Sequence, residues 1–342
     1  MHLPSFYYEK HNPNKISLLK CETRHFDHPK LYYYDHIFDT YNWSIEPTES
    51  LLSLYKNRAQ KLRDTFPYLV LAYSGGIDST NILETFYYNK IHIDEILIVG
   101  AFSRDSYMGS DDNHNGEIYF NSFPTLKKLK LSGTKITIID YTRNLQALSL
   151  VNQDDWFLKI GSWWSIHNWY WYDLEVQYTK DNIVGIIFGL DKPRIRLYEN
   201  KFYFCFEDRA LYAYGYSPSK IVDKNNVKRI NFYWDPEATN IIIKQCHIIA
   251  DYFYSHFYEA EYAAYCNTIH NLIYPNIENK LRFISKKSIS TISSLRDSYM
   301  HKIPDFKDTK IYKNYSQGIH KMLSINDSFH NLSIKSKEYW IT

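Results

Sequence analysis

The stretch LAYSGGIDSTNIL, residues 71–83, places two adjacent glycines between an apolar run and the start of a helical pattern. The apolar run Tyr68–Tyr73 is typical of a strand that is buried on both faces of a sheet. After the glycines, the spacing of Ile82, Leu83 and Phe86 predicts a helix. Since the chain has only 11 glycines, a Gly-Gly pair here indicates a turn that needs bare backbone.

A strand, a glycine-rich turn and a helix N-terminus together form a binding site for an anion. Bare glycine lets an oxyanion approach the backbone, the N–H groups point inward, and the helix dipole adds positive potential. The hydroxyls of Ser74, Ser79 and Thr80 add donors, so phosphate is the expected ligand. The turn is neither a Walker A loop, which needs a lysine that is absent here, nor a G-x-G-x-x-G fingerprint.

The carboxylate of Asp78 falls inside this predicted phosphate site. It would repel the ligand unless a cation joins it, so we expect a Mg²⁺ ion held by Asp78 and by phosphate oxygens. The alternative is a structural βα turn in which Asp78 or Ser79 only caps the helix.

Strands and helices alternate over residues 47–215, which we interpret as one α/β domain. Helix-start residues at 47–50 precede a helix that ends at Pro67. Beyond Tyr68–Tyr73, buried strands are predicted at Ile96–Val99, Ile136–Asp140 and Ile183–Phe188, with helices near 115–130 and 150–175. This order predicts a doubly wound, mostly parallel, Rossmann-like sheet with helices on both faces.

Ligands of such sheets bind at the carboxyl ends of the strands. Three turns follow predicted strands and should therefore share one crevice: Ser74-Gly75-Gly76, Gly100-Ala101-Phe102 and Gly189-Leu190-Asp191.

The alternation of strands and helices is not predicted for the start of the chain or beyond about residue 200. Residues 1–46 are predicted to be irregular. Lys201–Glu207 is predicted to pair with Ile195–Tyr198 across Glu199-Asn200. Asp235-Pro236-Glu237 is a helix start, and residues 216–342 are expected to be mainly helical and to close the substrate pocket.

Composition excludes several classes of protein. A net charge of +2 gives no overall field for nucleic acid or membranes. No apolar stretch approaches the roughly 20 residues that a membrane helix needs, and no signal-peptide pattern follows Met1, so we expect a soluble, cytoplasmic protein without membrane contact. The four cysteines are widely spaced, which argues against zinc ribbons, iron–sulfur sites and redox pairs.

The hexapeptide Ser74-Gly75-Gly76-Ile77-Asp78-Ser79 resembles the S-G-G-x-D-S/T loop of the N-type ATP pyrophosphatases, or PP-loop ATPases, which include the synthetase domain of asparagine synthetase. In that family the loop binds the pyrophosphate of ATP. The enzymes cleave ATP to AMP and pyrophosphate and adenylate a carboxylate or carbonyl oxygen, which an amine or sulfur nucleophile then displaces. The resemblance spans roughly residues 50–215, and only the loop is strongly diagnostic.

The resemblance implies roles for particular residues. The cofactors are ATP and Mg²⁺, and the nucleotide-binding residues are Ser74, Gly75, Gly76, Asp78, Ser79, Thr80, Gly100, Ala101, Phe102 and Gly189. Within this set, Gly100, Ala101 and Phe102 receive the adenine, largely through backbone groups.

Catalytic roles fall to Asp78, Asp191 and Lys192. Asp191 resembles a second carboxylate that binds the metal. The alternative is that Asp191 only stabilises a turn through local hydrogen bonds. Positive charge near the departing pyrophosphate stabilises the transition state. Lys192 is the first candidate for this charge, and Arg194 is the second. The alternative is a solvated basic hairpin.

The expected reaction is that of an asparagine synthetase-like amidoligase without a glutaminase domain. Residue 2 is His rather than a nucleophilic Cys, and residues 1–67 are too few for a glutaminase. The basic residues after Asp191 replace an acidic family pattern, which argues against ordinary asparagine synthesis. Free ammonia, another amine or a separate ammonia-supplying partner would provide the nitrogen.

Two other functions stay open. The aromatic stretch Trp163–Tyr172 could stack on a nucleobase, which with a basic segment near 302–313 would suit modification of a base in RNA or DNA. Its alternatives are a helix buried all round or a homodimer face. A non-catalytic nucleotide-binding protein is the third possibility. The substrate is thus a small carboxylate or a nucleobase, with an amine donor.

Overall fold

The computed structural model describes residues 7–8, 31–32, 35–100, 118–140, 183–189, 193, 195–205, 227–255, 271–274 and 338–342. Its strands are β1 (Tyr7–Tyr8), β2 (Leu31–Tyr32), β3 (Tyr68–Ala72), β4 (Glu95–Gly100), β5 (Lys135–Asp140), β6 (Val184–Phe188), β7 (Ile195–Tyr198), β8 (Lys201–Phe204), β9 (Val227–Asn231) and β10 (Tyr339–Trp340). Its α-helices are α1 (Asp35–Phe38), α2 (Leu51–Thr65), α3 (Ile77–Tyr88), α4 (Phe123–Lys128) and α5 (Thr239–Ser255).

A parallel sheet of five strands forms the centre of the fold, in the order β5-β4-β3-β6-β9. The chain starts in the middle at β3, moves outward through β4 to β5, and then returns to the other side of β3 as β6. The predicted α/β fold with a mostly parallel sheet is confirmed, as are the four predicted strands β3 to β6. The predicted burial of β5 is wrong, because β5 lies at an edge of the sheet with Ile136 and Ile138 exposed. The fifth strand, β9, was not predicted.

The missed strand β9 has the sequence VKRIN and lies at one edge of the sheet. Only Val227 and Ile230 are strongly apolar, so the segment lacks the continuous apolar run of a central strand. It also falls within residues 216–342, which the sequence predicts to be mainly helical. The described part of that region contains β9 and β10 as well as α5.

Both faces of the central sheet are buried at its inner strands β3, β4 and β6. Helices α2 and α3 contact β3 and each other, and α5 contacts α2. Their side chains share the main core with one face of the sheet. The opposite face carries a second cluster, made of Val70, Leu97, Val184, Ile186, Phe188 and Val227. The helices that the structure describes contribute to the main core. A doubly wound sheet also requires helices on the second face, and that layer stays a prediction.

The helix starts follow the predicted chemistry. Ser50 caps α2, and its side chain accepts a hydrogen bond from Ser53 N at 3.2 Å. Asp235 caps the 3₁₀ turn Pro236–Ala238 that leads into α5, and it accepts from Glu237 N at 2.9 Å. Asp235 also pairs with the buried guanidinium of Arg58 at 3.1 Å, which joins α2 to the start of α5.

The predicted hairpin is confirmed, with β8 ending at Phe204. Strands β7 and β8 pair antiparallel, and β10 adds to β8 to make a sheet of three strands. Glu199 and Asn200 form the turn at φ 47° and 63°. The indole of Trp43 stacks on Tyr339 with ring centroids 4.3 Å apart, so residues before α2 pack against the small sheet.

Two helical predictions differ in outcome. The helix near 115–130 is confirmed as a π-helical turn, Ile118–Ser122, followed by α4. The helix near 150–175 lies outside the described residues. None of the described helices is both long enough and apolar enough to cross a membrane.

Substitution of Gly185 tests the packing of β6 against β9. A Cβ at this position would lie 2.7 Å from Ile230 Cδ1 and 2.8 Å from Phe66 Cγ. Because overpacking a filled core strains its neighbours, Gly185→Ala should lower the free energy of unfolding by about 1–3 kcal/mol in urea titrations. The control Ile183→Ala changes an exposed residue and should stay within about 0.5 kcal/mol of wild type. Equal stability of the two variants would contradict this packing.

Candidate anion-binding site

The candidate site lies where the chain reverses direction between β3 and β6. These two strands are adjacent and parallel, but the chain leaves β3 toward one edge of the sheet and leaves β6 toward the other. Connections that diverge in this way open a crevice outside the carboxyl ends of the strands. Ser74-Gly75-Gly76 follows β3, and Gly189 follows β6.

The turn after β3 requires glycine at one position. Gly75 has φ +83°, a conformation that residues with a Cβ rarely adopt. Ser74 is exposed, and its Oγ accepts a hydrogen bond from Gly76 N at 3.1 Å. The same Oγ lies 3.3 Å from Ser79 Oγ. The turn is thus closed by its own hydroxyl groups.

The N-terminus of α3 is capped by Gly76, which provides no side-chain hydrogen bond to the helix. Asp78 and Ser79 lie inside the first turn, so the alternative in which one of them is the cap does not describe this structure. Instead, the hydroxyls of Ser79 and Thr80 donate to Gly76 O at 3.1 and 2.7 Å. A helix start without a side-chain cap suits an anionic ligand, since its first N–H groups have no partner within the helix.

Ser79 and Thr80 are both buried, unlike Ser74, and both hydroxyls donate to Gly76 O. The Thr80 hydroxyl also lies 3.4 Å from Tyr73 Oη. This hydroxyl therefore stabilises the turn from within, and its predicted contact with nucleotide stays a prediction.

Gly189 touches the first turn of α3 directly. A Cβ built on Gly189 would lie 2.8 Å from Ser79 N and 3.0 Å from the carbonyl carbon of Asp78. These neighbours are backbone atoms that a side chain could not displace without moving the turn. The structure therefore brings the Ser74-Gly75-Gly76 turn and Gly189 together, as the strand ends predict.

Other predicted site residues are placed less completely. Gly100 ends β4, the neighbour of β3, and pairs with Asp140 of β5. Ala101, Phe102, Leu190, Asp191, Lys192 and Arg194 lie outside the described residues, so their roles stay predictions.

Three buried tyrosines, Tyr55, Tyr233 and Tyr274, lie behind the first turn of α3, and we call them the tyrosine cluster. The Tyr274 hydroxyl donates to Asp78 Oδ1. The Tyr233 hydroxyl donates to Asp78 O at 2.8 Å and accepts from Asn81 Nδ2 at 2.9 Å. Two phenols thus hold the side chain and the backbone of the same aspartate.

The third phenol of the tyrosine cluster supports the other two. Tyr55 Oη donates to Ile273 O at 2.6 Å and accepts from Gln245 Nε2 at 2.8 Å. Its ring lies 5.7 Å from that of Tyr233, which in turn lies 5.5 Å from that of Tyr274. The cluster therefore links α2, α5 and residues 273–274 to the glycine turn.

Burial keeps the tyrosine cluster protonated. It raises the pKa of each phenol well above the ordinary 10.0, and the negative charge of Asp78 raises it further. The three hydroxyls therefore stay neutral donors across the physiological range. Sequence reasoning missed this cluster because its members lie far apart among 33 tyrosines, and no local spacing marks them.

The donor set fits Mg²⁺ bound together with a phosphate. No group of three or more His, Cys, Asp or Glu side chains in the described part of the chain could hold a metal ion. Mg²⁺ often needs only one or two carboxylates, with substrate phosphates and water completing its shell. The half-buried carboxylate of Asp78, next to a helix N-terminus, meets that requirement.

Comparison with known proteins adds no further assignment. No protein-family model and no curated protein matches this sequence at a significant level.

The tyrosine cluster predicts an alkaline limit to stability. Above pH 10.0 each phenol ionises in the unfolded chain but stays protonated in the folded one, where its pKa is raised. The unfolded state then binds fewer protons, so the free energy of unfolding falls as pH rises. Tyr55→Phe should reduce that slope by about 1.4 kcal/mol per pH unit, the value for one proton.

Urea unfolding between pH 8 and pH 12 measures this slope. The control Tyr198→Phe removes a hydroxyl from an exposed ring and should leave the slope unchanged. Identical slopes in wild type and Tyr55→Phe would show that Tyr55 does not contribute to the alkaline transition.

Proposed function

We propose that the protein is a Mg²⁺- and ATP-dependent enzyme that adenylates a carboxylate or carbonyl and then transfers an amine to it, releasing AMP and pyrophosphate. The observation that carries this proposal is the Ser74-Gly75-Gly76 turn at the reversal point of the sheet, followed by a helix start that has no side-chain cap and carries Asp78 in its first turn. The loop's resemblance to that of the N-type ATP pyrophosphatases favours ATP over other anions.

The exact type of α/β sheet is also part of this proposal. We infer a doubly wound, Rossmann-like sheet of the PP-loop type. The strand order supports this, because β3 lies at the centre with β4 and β5 on one side and β6 and β9 on the other. The reversal between β3 and β6 is where such sheets bind nucleotides.

In this proposal the turn binds the pyrophosphate part of ATP. The backbone N–H of Gly75, the first N–H groups of α3 and the exposed Ser74 hydroxyl supply the donors, while the Gly76 N–H is bonded to Ser74 Oγ. Ser79 and Thr80 hold the Gly76 carbonyl and keep the turn in shape. Asp78, with Asp191, would hold Mg²⁺, which when bound neutralises charge on the phosphates.

The reaction proceeds in two substitutions. An oxygen of the acceptor attacks the α-phosphorus, and the bond from that phosphorus to the bridging oxygen breaks, so pyrophosphate leaves with the electron pair. The amine then attacks the activated carbon, loses a proton and expels AMP. The helix N-terminus and the positive charge assigned to Lys192, then Arg194, stabilise the negative charge that develops on pyrophosphate.

Two alternatives differ in acceptor and in turnover. Modification of a nucleobase in RNA or DNA uses the same first step and rests on Trp163–Tyr172, which lies outside the described residues. A non-catalytic nucleotide-binding protein would bind ATP and leave it intact.

Exchange of labelled pyrophosphate into ATP tests the proposal. With Mg²⁺ and pools of amino acids, other carboxylates or nucleosides, one pool should support exchange and thereby identify the acceptor class. Asp78→Ala should reduce that exchange by about 10²–10³-fold, because the carboxylate at the phosphates is lost. The control Asp251→Ala removes an exposed carboxylate on α5 and should leave exchange unchanged.

Each outcome of this exchange experiment has a separate meaning. Formation of ADP and phosphate alone would overturn adenylation. ATP binding without exchange in any of the small-molecule pools would favour a nucleic-acid acceptor or the non-catalytic alternative, and adding RNA or DNA to the assay separates these two.

Substitution of Gly189 tests the location of the nucleotide site. The added methyl of Gly189→Ala would press on the backbone at Asp78 and Ser79 and should weaken ATP binding at least about tenfold. Gly185→Ala is the matched control, since it crowds side chains of the core instead and should lose stability while keeping its ATP affinity. Calorimetric titration of the folded variants measures both affinities. Equal ATP affinity in the two variants would place the site elsewhere.

A further inference from the structure

The hydrogen bond between Tyr274 and Asp78 joins the proposed site to a residue that is distant in the sequence. The Tyr274 hydroxyl meets Asp78 Oδ1 across 196 residues of chain, and the phenol is fully buried. Asp78 is the acidic residue in the first turn of α3. The phenol therefore approaches the carboxylate from the protein interior.

Tyr274 is itself held in place by a chain of hydrogen bonds. Gln245 of α5 donates to Tyr55 Oη at 2.8 Å, and Tyr55 of α2 donates to the carbonyl of Ile273 at 2.6 Å. The peptide that carries Tyr274 is thus fixed by two helices. Tyr233 adds a second hold on Asp78 through its backbone carbonyl at 2.8 Å.

We propose that Tyr274 is a positioning residue for Asp78, and that its hydroxyl orients the carboxylate for Mg²⁺ that binds together with ATP. This inference rests on the function proposed above and adds a residue to its machinery. Tyr274 contacts neither metal nor nucleotide in this scheme, and it acts only through Asp78.

The physical reason is preorganisation of a metal ligand. A carboxylate that accepts a bond from a fixed donor loses less rotational freedom when it binds a cation. Partners that orient metal ligands in this way are typically worth about 10–100-fold in metal affinity.

The test is the Mg²⁺ dependence of ATP binding. In calorimetric titrations at a series of Mg²⁺ concentrations, Tyr274→Phe should shift the Mg²⁺ concentration of half-maximal effect upward by about tenfold. ATP binding without Mg²⁺ should be nearly unchanged. The matched control Tyr73→Phe removes another buried hydroxyl beside the same turn, one that lies 3.4 Å from Thr80 Oγ1, and should keep the Mg²⁺ dependence of wild type.

A double-mutant cycle separates positioning from a general structural effect. In the Asp78→Asn background, Tyr274→Phe should add less than about a twofold change, because the ligand that it positions is already altered. If Tyr274→Phe destabilises the fold too far to be measured, Tyr55→Phe serves instead. It loosens the Ile273 peptide and keeps the Tyr274 hydroxyl, so it should shift the Mg²⁺ dependence in the same direction but by less.

The outcomes distinguish this inference from the function on which it rests. Wild type that binds no ATP would overturn both. ATP binding with the same Mg²⁺ dependence in wild type and Tyr274→Phe would overturn the positioning role alone. Equal weakening of ATP binding with and without Mg²⁺, or additive effects in the cycle, would also overturn it, since both indicate a structural contribution that does not act through the metal ligand.

Discussion

The approach of Gly189 to the first turn of α3 is the contact on which the site depends. Strands β3 and β6 send the chain in opposite directions, and the crevice between their exits can form only if the two exits come close together. A Cβ on Gly189 would lie 2.8 Å from Ser79 N, so only bare backbone fits at that distance. Gly75, at φ +83°, makes the turn that leads from β3 to α3. Together these glycines set the position of the helix start, which has no side-chain cap.

Behind this backbone contact lies a polar network within the core. Buried hydroxyls require partners, and a donor or acceptor left without one costs about 1–3 kcal/mol. The tyrosine cluster meets most of that requirement by bonding to Asp78, Asn81, Gln245 and the Ile273 carbonyl. Within the described residues, Asn81 Oδ1 and Gln245 Oε1 have no partner.

Local patterns predicted the framework of the protein. The apolar runs of β3, β4 and β6 identify strands that are buried on both faces, and Ser50 and Asp235 mark helix starts whose caps are observed. The glycine turn between β3 and α3 was predicted from six residues, because a strand, bare backbone and a helix start are adjacent in the chain. These features depend on neighbours within a few residues, which is the range over which periodicity and capping act.

Sequence by itself therefore determined the strands of the inner sheet and the glycine turn between β3 and α3. Only the tertiary structure decided that β9 joins the sheet edge, that Gly189 meets Ser79, and that Tyr233 and Tyr274 converge on Asp78 while Tyr55 holds the Ile273 carbonyl. The contacts of Tyr55, Tyr233 and Tyr274 span 218, 155 and 196 residues. The physical reason is that such contacts follow from strand order and packing around one core, and neither leaves a repeating pattern in the chain.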